Sequence, residues 1–209
     1  MDLVKLVIFD LDGTLVDSDK TVIRLLNTIR EDLNLPTLKF KDLSLYLSLG
    51  GEEMIKKTIA NEIDAKKYLG IFRKKYLADP LDNEKLFDGV INYLNYLKTK
   101  GILMAVFTNK PKDLAKKTLK KHSIYNFFDY IVTSDDVKFK KPSPDGCYKI
   151  IKLSSIPPEN IIMIGDSEVD QKAASLASIK FMHHKVLSTD EIISSKNIKV
   201  FKNFNDLID

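Results

Sequence analysis

Residues 7–19 read VIFDLDGTLVDSD. An apolar run, Val7–Phe9, leads straight into Asp10 and Asp12, and Asp17 and Asp19 follow. Four carboxylates thus crowd the end of what reads as a buried strand. Like charges this close repel one another and lose hydration, so something cationic must offset them. A metal ion, a lysine from elsewhere in the chain, and plain solvent are the candidates. The strand itself sets the fold class, and the choice of counter-charge sets the function.

Outward from this stretch, short apolar and β-branched runs recur, each followed by a helical pattern. The spacing predicts strands at Lys5–Phe9, Ile102–Thr108, Tyr130–Thr133, Ile161–Ile164, Ile179–His183 and Lys199–Phe201. Helices are expected at Glu84–Lys100, Lys112–His122, Asp145–Leu153 and Glu168–Leu176, with Gly101 placed to take a left-handed cap. Strand–helix alternation with fully apolar strands such as IIMI predicts an α/β fold, a Rossmann-like parallel sheet with helices on both faces. From Asp17 to Ala78 the alternation stops. Helical segments at Lys20–Leu33, Lys39–Leu47, Glu52–Asn61 and Ala65–Leu77 are punctuated by Pro36 and Gly50–Gly51. We expect a small all-helical cap domain at residues 17–79 inserted into a core of residues 1–16 and 80–209, hinged near Leu15–Ser18 and Asp79–Asp88.

Composition narrows the function classes. With 209 residues, 44% hydrophobic and 30% charged, the chain suits one globular core plus a modest insertion. Its net charge of +4 comes from 33 basic and 29 acidic residues. Much of the excess lies in pairs such as Lys56–Lys57 and Lys120–Lys121, which read as solvated helix faces rather than a nucleic-acid stripe. No apolar stretch approaches membrane-spanning length, and MDLVKLVIFD lacks the features of a signal peptide. Cys147 is the single cysteine, which rules out an internal disulfide and a cysteine-rich metal site. The expectation is a cytoplasmic protein with no nucleic-acid or membrane partner; nothing in the sequence sets the oligomeric state.

In an open α/β sheet, ligands bind outside the carboxyl ends of the strands. Strand one ends in Asp10-Leu11-Asp12-Gly13-Thr14, the second in Thr108-Asn109, and the fourth in Gly165-Asp166-Ser167 with Asp170 one turn on. Lys140-Lys141-Pro142 stands before a helix. Each has an ordinary structural reading: Asp12-Gly13 as a turn, Thr108-Asn109 as a cap, Asp166-Ser167 as a cap, Asp17-Ser18 as caps of the first insertion helix. The ordinary readings do not account for aspartates meeting at two strand ends without a counter-charge, which costs several kcal/mol. A hard divalent cation with oxygen ligands removes that cost, and Mg²⁺ fits.

FDLDGTLVDS, FTNK, KKPSPD and IGDSEVDQKAA, in this order, resemble the motifs of the haloacid dehalogenase superfamily of phosphohydrolases. The resemblance covers essentially the whole chain and is closest to the phosphoglycolate phosphatase-like branch, which carries a helical cap after the first strand. It implies that Asp10 is a nucleophile forming an aspartyl-phosphate, and that Asp12 is the general acid and then the general base. It further implies Mg²⁺ held by Asp10, Asp166 and the Asp12 carbonyl, with Asp170 supporting through water. Thr108, Asn109 and Lys141 would bind the transferring phosphoryl group. The substrate would be a small phosphorylated metabolite, phosphoglycolate-like or a sugar phosphate. A phosphomutase and a non-catalytic phosphate-binding protein are the rivals; Thr14 is more usual in hydrolases, and a non-catalytic protein is expected to lose Asp10 or Asp12. A dehalogenase would need neither Asp12 nor the metal, and no cap lysine stands out as the Schiff-base residue of a phosphonate hydrolase. The chain departs from the family at Ala177-Ser178, where Ala-Gly is usual, and at His183-His184. Adjacent strand residues face opposite ways, so at most one histidine of this pair should face the cleft, and packing is the expected role.

Overall fold

The architecture comes from a computed structural model, which describes residues 4–39, 46, 51–59, 64–185 and 198–208. The main sheet has six parallel strands: β1 (Leu6–Phe9), β4 (Leu103–Phe107), β5 (Tyr130–Val132), β6 (Ile161–Gly165), β7 (Lys180–His184) and β8 (Lys199–Phe201). Their spatial order is β5-β4-β1-β6-β7-β8. β1 is central: Leu6 lies opposite Leu103 and Ile161, and Phe9 opposite Val106 and Ile164. The period of two sends Val7 and Phe9 into one apolar layer and Leu6 and Ile8 into the other. Helices α4 (Val90–Thr99) and α5 (Lys112–Lys121) cover the first layer through Tyr93, Leu97 and Leu119. Helices α6 (Asp145–Ser154) and α7 (Glu168–Leu176) cover the second through Cys147, Ile150 and Ala173. Burial on both faces explains why β1 has no polar residue, each such side chain contributing about 1.5–3 kcal/mol when withdrawn from water.

Between β1 and α4 the chain builds the helical insertion: α1 (Asp19–Asp32), α2 (Gly51–Thr58) and α3 (Ala65–Ala78). These helices share their own apolar cluster of Leu25, Leu26, Ile29, Met54, Ile55 and Phe72. Leu114 of α5 joins that cluster, so the insertion rests on the core there. The segment expected as a helix at Lys39–Leu47, and Gly50, lie outside the described residues apart from the positions stated above. Gly51 opens α2, and the cavity borders it.

Two local expectations need correction. The helix expected over Glu84–Lys100 begins only at Val90. Ahead of it Lys85–Leu86 forms β3, paired antiparallel with β2 (Val16–Asp17), and the Phe87 N–H donates to the Leu15 carbonyl at 3.1 Å. A two-stranded ribbon therefore joins the stretches expected as hinges. Second, Ser18 occupies the N-cap position of α1 but makes no capping bond, because its hydroxyl is used elsewhere. Gly101 adopts φ +66°, as the cap reading requires. At Ser178, where the family usually has glycine, the serine itself adopts φ +57°. Ile179 N–H donates to the Ala174 carbonyl and Ser178 N–H to that of Ser175, the bond pattern that closes a helix through a left-handed residue.

Candidate active site

Asp10 follows β1 directly, and its N–H continues the ladder to the Ile164 carbonyl at 2.9 Å. The side chain is thereby delivered, buried, to the carboxyl edge of the sheet. There Lys141 Nζ lies 2.6 Å from Asp10 Oδ1 and 2.6 Å from Asp170 Oδ1. The lysine is held through its main chain. Asn109 Nδ2 donates to the Lys141 carbonyl at 3.0 Å, and the Lys141 N–H donates to Asn109 Oδ1 at 2.8 Å. Asp170, with no exposed surface, accepts from the Ser167 N–H and hydroxyl through Oδ2, a capping box at the start of α7. The cap reading of Ser167 holds, and its partner Asp170 is part of the site as well.

Asp166 directly follows β6 and accepts from the Thr14 hydroxyl at 3.2 Å. Gly13 makes room for it: at φ +81°, a Cβ there would stand 2.2 Å from Asp166 Oδ2. Oxygens of Asp10, Asp166 and Asp170 lie within 4.8 Å of one another. Burial pushes the Asp10 carboxyl up to about 7 against the pull of Lys141, with repulsion from Asp170 adding to the rise. Asp166 is also raised, by burial first and then by Asp170 and Asp10. Burial works against the Lys141 ammonium, yet Asp10 and Asp170 outweigh it and hold its proton more tightly. One ammonium thus faces three carboxylates, two of which resist ionising. An all-oxygen donor set with surplus negative charge fits a hard divalent cation.

Asp12 stands on the other side of Asp10. Its Oδ1 accepts from the Ser18 hydroxyl at 2.6 Å and from Lys110 Nζ at 2.7 Å. Lys110 is buried, and its ammonium also donates to the Tyr76 hydroxyl at 2.6 Å. Thr108, buried at the end of β4, accepts from the Lys110 N–H at 3.1 Å. Neither Thr108 nor Asn109 caps α5, whose N-cap is Pro111.

Of the residues singled out in the sequence, Asp10, Asp12, Thr108, Asn109, Lys141 and Asp166 border one cavity of about 420 Å³. Asp170 lies behind Lys141. Lys140 is exposed at the rim, whereas Lys141 is the lysine enclosed by the aspartates. Both His183 and His184 border the cavity, because it sits over the end of β7 rather than over one of its faces. His184 has the packing role expected: it is buried against Phe87, Phe201 and Phe204, with Nδ1 3.1 Å from the Gly13 carbonyl. Lys110, Tyr76 and Ser18 were not anticipated as site residues. Lys110 follows Asn109 at a strand end and was accessible to the same rule that found Asn109. The Tyr76 ring packs in the apolar cluster of the insertion, while its hydroxyl accepts from Lys110 at the border of the cavity.

Comparison with known proteins agrees with this geometry. Residues 7–183 match the family model for haloacid dehalogenase-like hydrolases. A phosphoglycolate phosphatase of Aquifex aeolicus is 32% identical over 176 residues, covering 84% of this chain and 82% of that protein. One from Pseudomonas syringae pv. tomato is 30% identical, covering 84% and 67%. The crystal structure of a predicted phosphoglycolate phosphatase from Haemophilus somnus superposes with a TM-score of 0.92 at 26% identity, covering 99% of this chain and 97% of that one. With the parallel core, the helical insertion after β1 and the aspartate cluster, the chain belongs to the haloacid dehalogenase-like hydrolases, as a phosphatase of small phosphorylated metabolites in their phosphoglycolate phosphatase-like branch.

Proposed function

We propose that this phosphatase is Mg²⁺-dependent and acts on a short phosphorylated carboxylic acid of the phosphoglycolate kind. The juxtaposition of Asp10, Lys141, Asp166 and Asp170 carries the reading. Asp10 and Asp166, with the Asp12 carbonyl, would hold the ion, and Asp170 would support it through water while fixing Lys141. When bound, the ion supplies positive charge that offsets the aspartates and the incoming phosphoryl oxygens.

The chain's own residues perform the transfer. Lys141 binds Asp10 Oδ1, leaving Oδ2, which has no partner among the described residues, to attack phosphorus. As the Asp10–phosphorus bond forms, the bond to the ester oxygen breaks, and Asp12 protonates the departing alkoxide. Asp12 then takes a proton from water as that water attacks the aspartyl-phosphate, breaking the Asp10–phosphorus bond, releasing inorganic phosphate and restoring the Asp10 carboxylate and the protonated Asp12. Thr108 and Lys141 donate to the phosphoryl oxygens in transit. Asn109, both ends of whose amide meet the Lys141 main chain, positions that lysine. Residues 17–79 act as the cap, closing over the substrate and excluding water.

Arg73, on α3, supports the carboxylate tail. It borders the cavity, and among the described residues it has no hydrogen-bond or ion-pair partner, its Nε being shut off from solvent. A buried donor left unmet costs about 1–3 kcal/mol, which an anionic tail on the substrate would remove. No described helix is long and apolar enough to cross a membrane; we read the protein as cytoplasmic, in keeping with its buried, free Cys147. The test is a panel of phosphate monoesters with Mg²⁺ and with EDTA, run on wild type and Asp10→Asn. Turnover that needs Mg²⁺, falls by several orders of magnitude in Asp10→Asn, and is fastest on phosphorylated carboxylic acids is expected. Full activity in EDTA, or in Asp10→Asn, would refute the mechanism. A panel led by uncharged-tail esters would refute the substrate class.

A further inference from the structure

A buried polar chain runs from Asp12 into the insertion. Lys110 Nζ bonds Asp12 Oδ1 at 2.7 Å and the Tyr76 hydroxyl at 2.6 Å. The Tyr76 hydroxyl donates to Glu84 Oε1 and lies 2.9 Å from Thr118 Oγ1. A phenol has one proton and two lone pairs. With its proton on Glu84 and one lone pair on Lys110, it must accept from Thr118, so every bond it can make is made. Lys110, Tyr76, Glu84 and Thr118 are all buried. Lys110 and Thr118 belong to the core; Tyr76 comes from α3 of the insertion.

The geometry at Asp12 is one-sided. Ser18 and Lys110 both bond Oδ1, and Oδ2 has no partner among the described residues. Two donors on one oxygen fix the carboxylate plane and leave the other oxygen for proton transfer. We infer that Lys110 is a positioning residue for the general acid, and that Tyr76 sets Lys110, so that Asp12 is aligned only while the insertion is seated on the core. Without Tyr76, the ammonium loses the acceptor on its far side and can swing towards the cavity it borders. The site would then couple the seating of the insertion to acid catalysis. This rests on the assignment of Asp12 as general acid.

The test exploits leaving-group dependence. An alkyl phosphate needs a proton delivered to its departing oxygen, whereas 4-nitrophenolate departs without one. Lys110→Met and Tyr76→Phe, with Asp12→Asn as reference, would be assayed by kcat/KM on the fastest alkyl phosphate of the panel and on 4-nitrophenyl phosphate. Positioned general acids contribute on the order of 10²–10⁴-fold. Lys110→Met is therefore expected to lose about 10²-fold on the alkyl ester and at least about tenfold less on the nitrophenyl ester. Tyr76→Phe keeps the ring packed 6.1 Å from Phe72 and should show the same pattern, weaker. Because Tyr76 acts through Lys110, the double variant should be no worse than Lys110→Met alone. Equal losses on both esters, or additive losses in the double variant, would overturn the inference. If Asp12→Asn itself showed no leaving-group dependence, the acid assignment would fail instead.

Discussion

Lys141→Met removes a cation lodged among three carboxylates while keeping a stem of similar length. At 2.6 Å and an effective dielectric near 20, each contact with Asp10 and Asp170 has a Coulomb energy of roughly 6 kcal/mol, most of it offset by the desolvation of the partners. The net cost of breaking such a buried group on one side is about 3–5 kcal/mol. Against a total stability of about 5–15 kcal/mol, that is a large fraction. The carboxylates have an escape: with Lys141 gone they can take up protons. The loss should accordingly be largest at pH 8, shrink towards pH 5, and be partly recovered by Mg²⁺. Urea unfolding in EDTA at the two pH values, and again with Mg²⁺, measures all three effects. Turnover should fall by at least on the order of 10²–10³-fold, the usual consequence of losing a charge-stabilising donor. A stability loss under about 1 kcal/mol at pH 8 would mean that Lys141 does not hold the aspartates together.

The raised Asp10 makes the metal-free protein bind more protons folded than unfolded between the ordinary carboxylate value of 3.8 and about 7. Its contribution to stability must therefore decline as pH rises through that window, with Asp166 acting in the same direction. Burial lowers His184, which acts in the opposite direction by favouring the fold as pH rises. Comparing unfolding free energies of wild type and Asp10→Asn in EDTA from pH 5 to 7.5 isolates the Asp10 part: the variant should become relatively more stable as pH rises, and a constant difference would contradict this. At Ser178, a residue with a Cβ holds φ +57° at a cost of roughly 1–2 kcal/mol. Ser178→Gly should raise stability by about 1 kcal/mol, read as a shift of roughly 2–4 °C in Tm, with kcat/KM unchanged; a lower Tm would show that the serine has a compensating contact.

The core was legible because its signals are local and repetitive. β1 and β6 read as apolar runs, and their following aspartates had to share one edge of the sheet whatever the loops did. The ribbon was not legible: two-residue strands at Val16–Asp17 and Lys85–Leu86 carry no periodicity, and their pairing is a long-range fact. Ser18 misled for a related reason. A serine before a helix satisfies the capping rule locally, yet its hydroxyl is claimed by Asp12 once the chain folds back. Lys110 and Tyr76 meet only because α3 packs on α5, and no spacing within either helix announces that contact.

The ribbon bears on how the chain accommodates an insertion at all. Val16 and Asp17 leave the core beside the Leu86 and Lys85 that re-enter it, so everything from Ser18 to Glu84 is an excursion whose ends are already neighbours. Closing such an excursion costs only about 0.6 kcal/mol more for each doubling of its length. The register of the six main strands does not depend on what hangs between those ends. Replacing the helices by a shorter or longer module grafted between the two ribbon strands should leave the main sheet foldable, provided that the module covers the face of α5 on which the helices rest, Leu114 and Thr118 included. The ribbon makes this hydrolase core a socket.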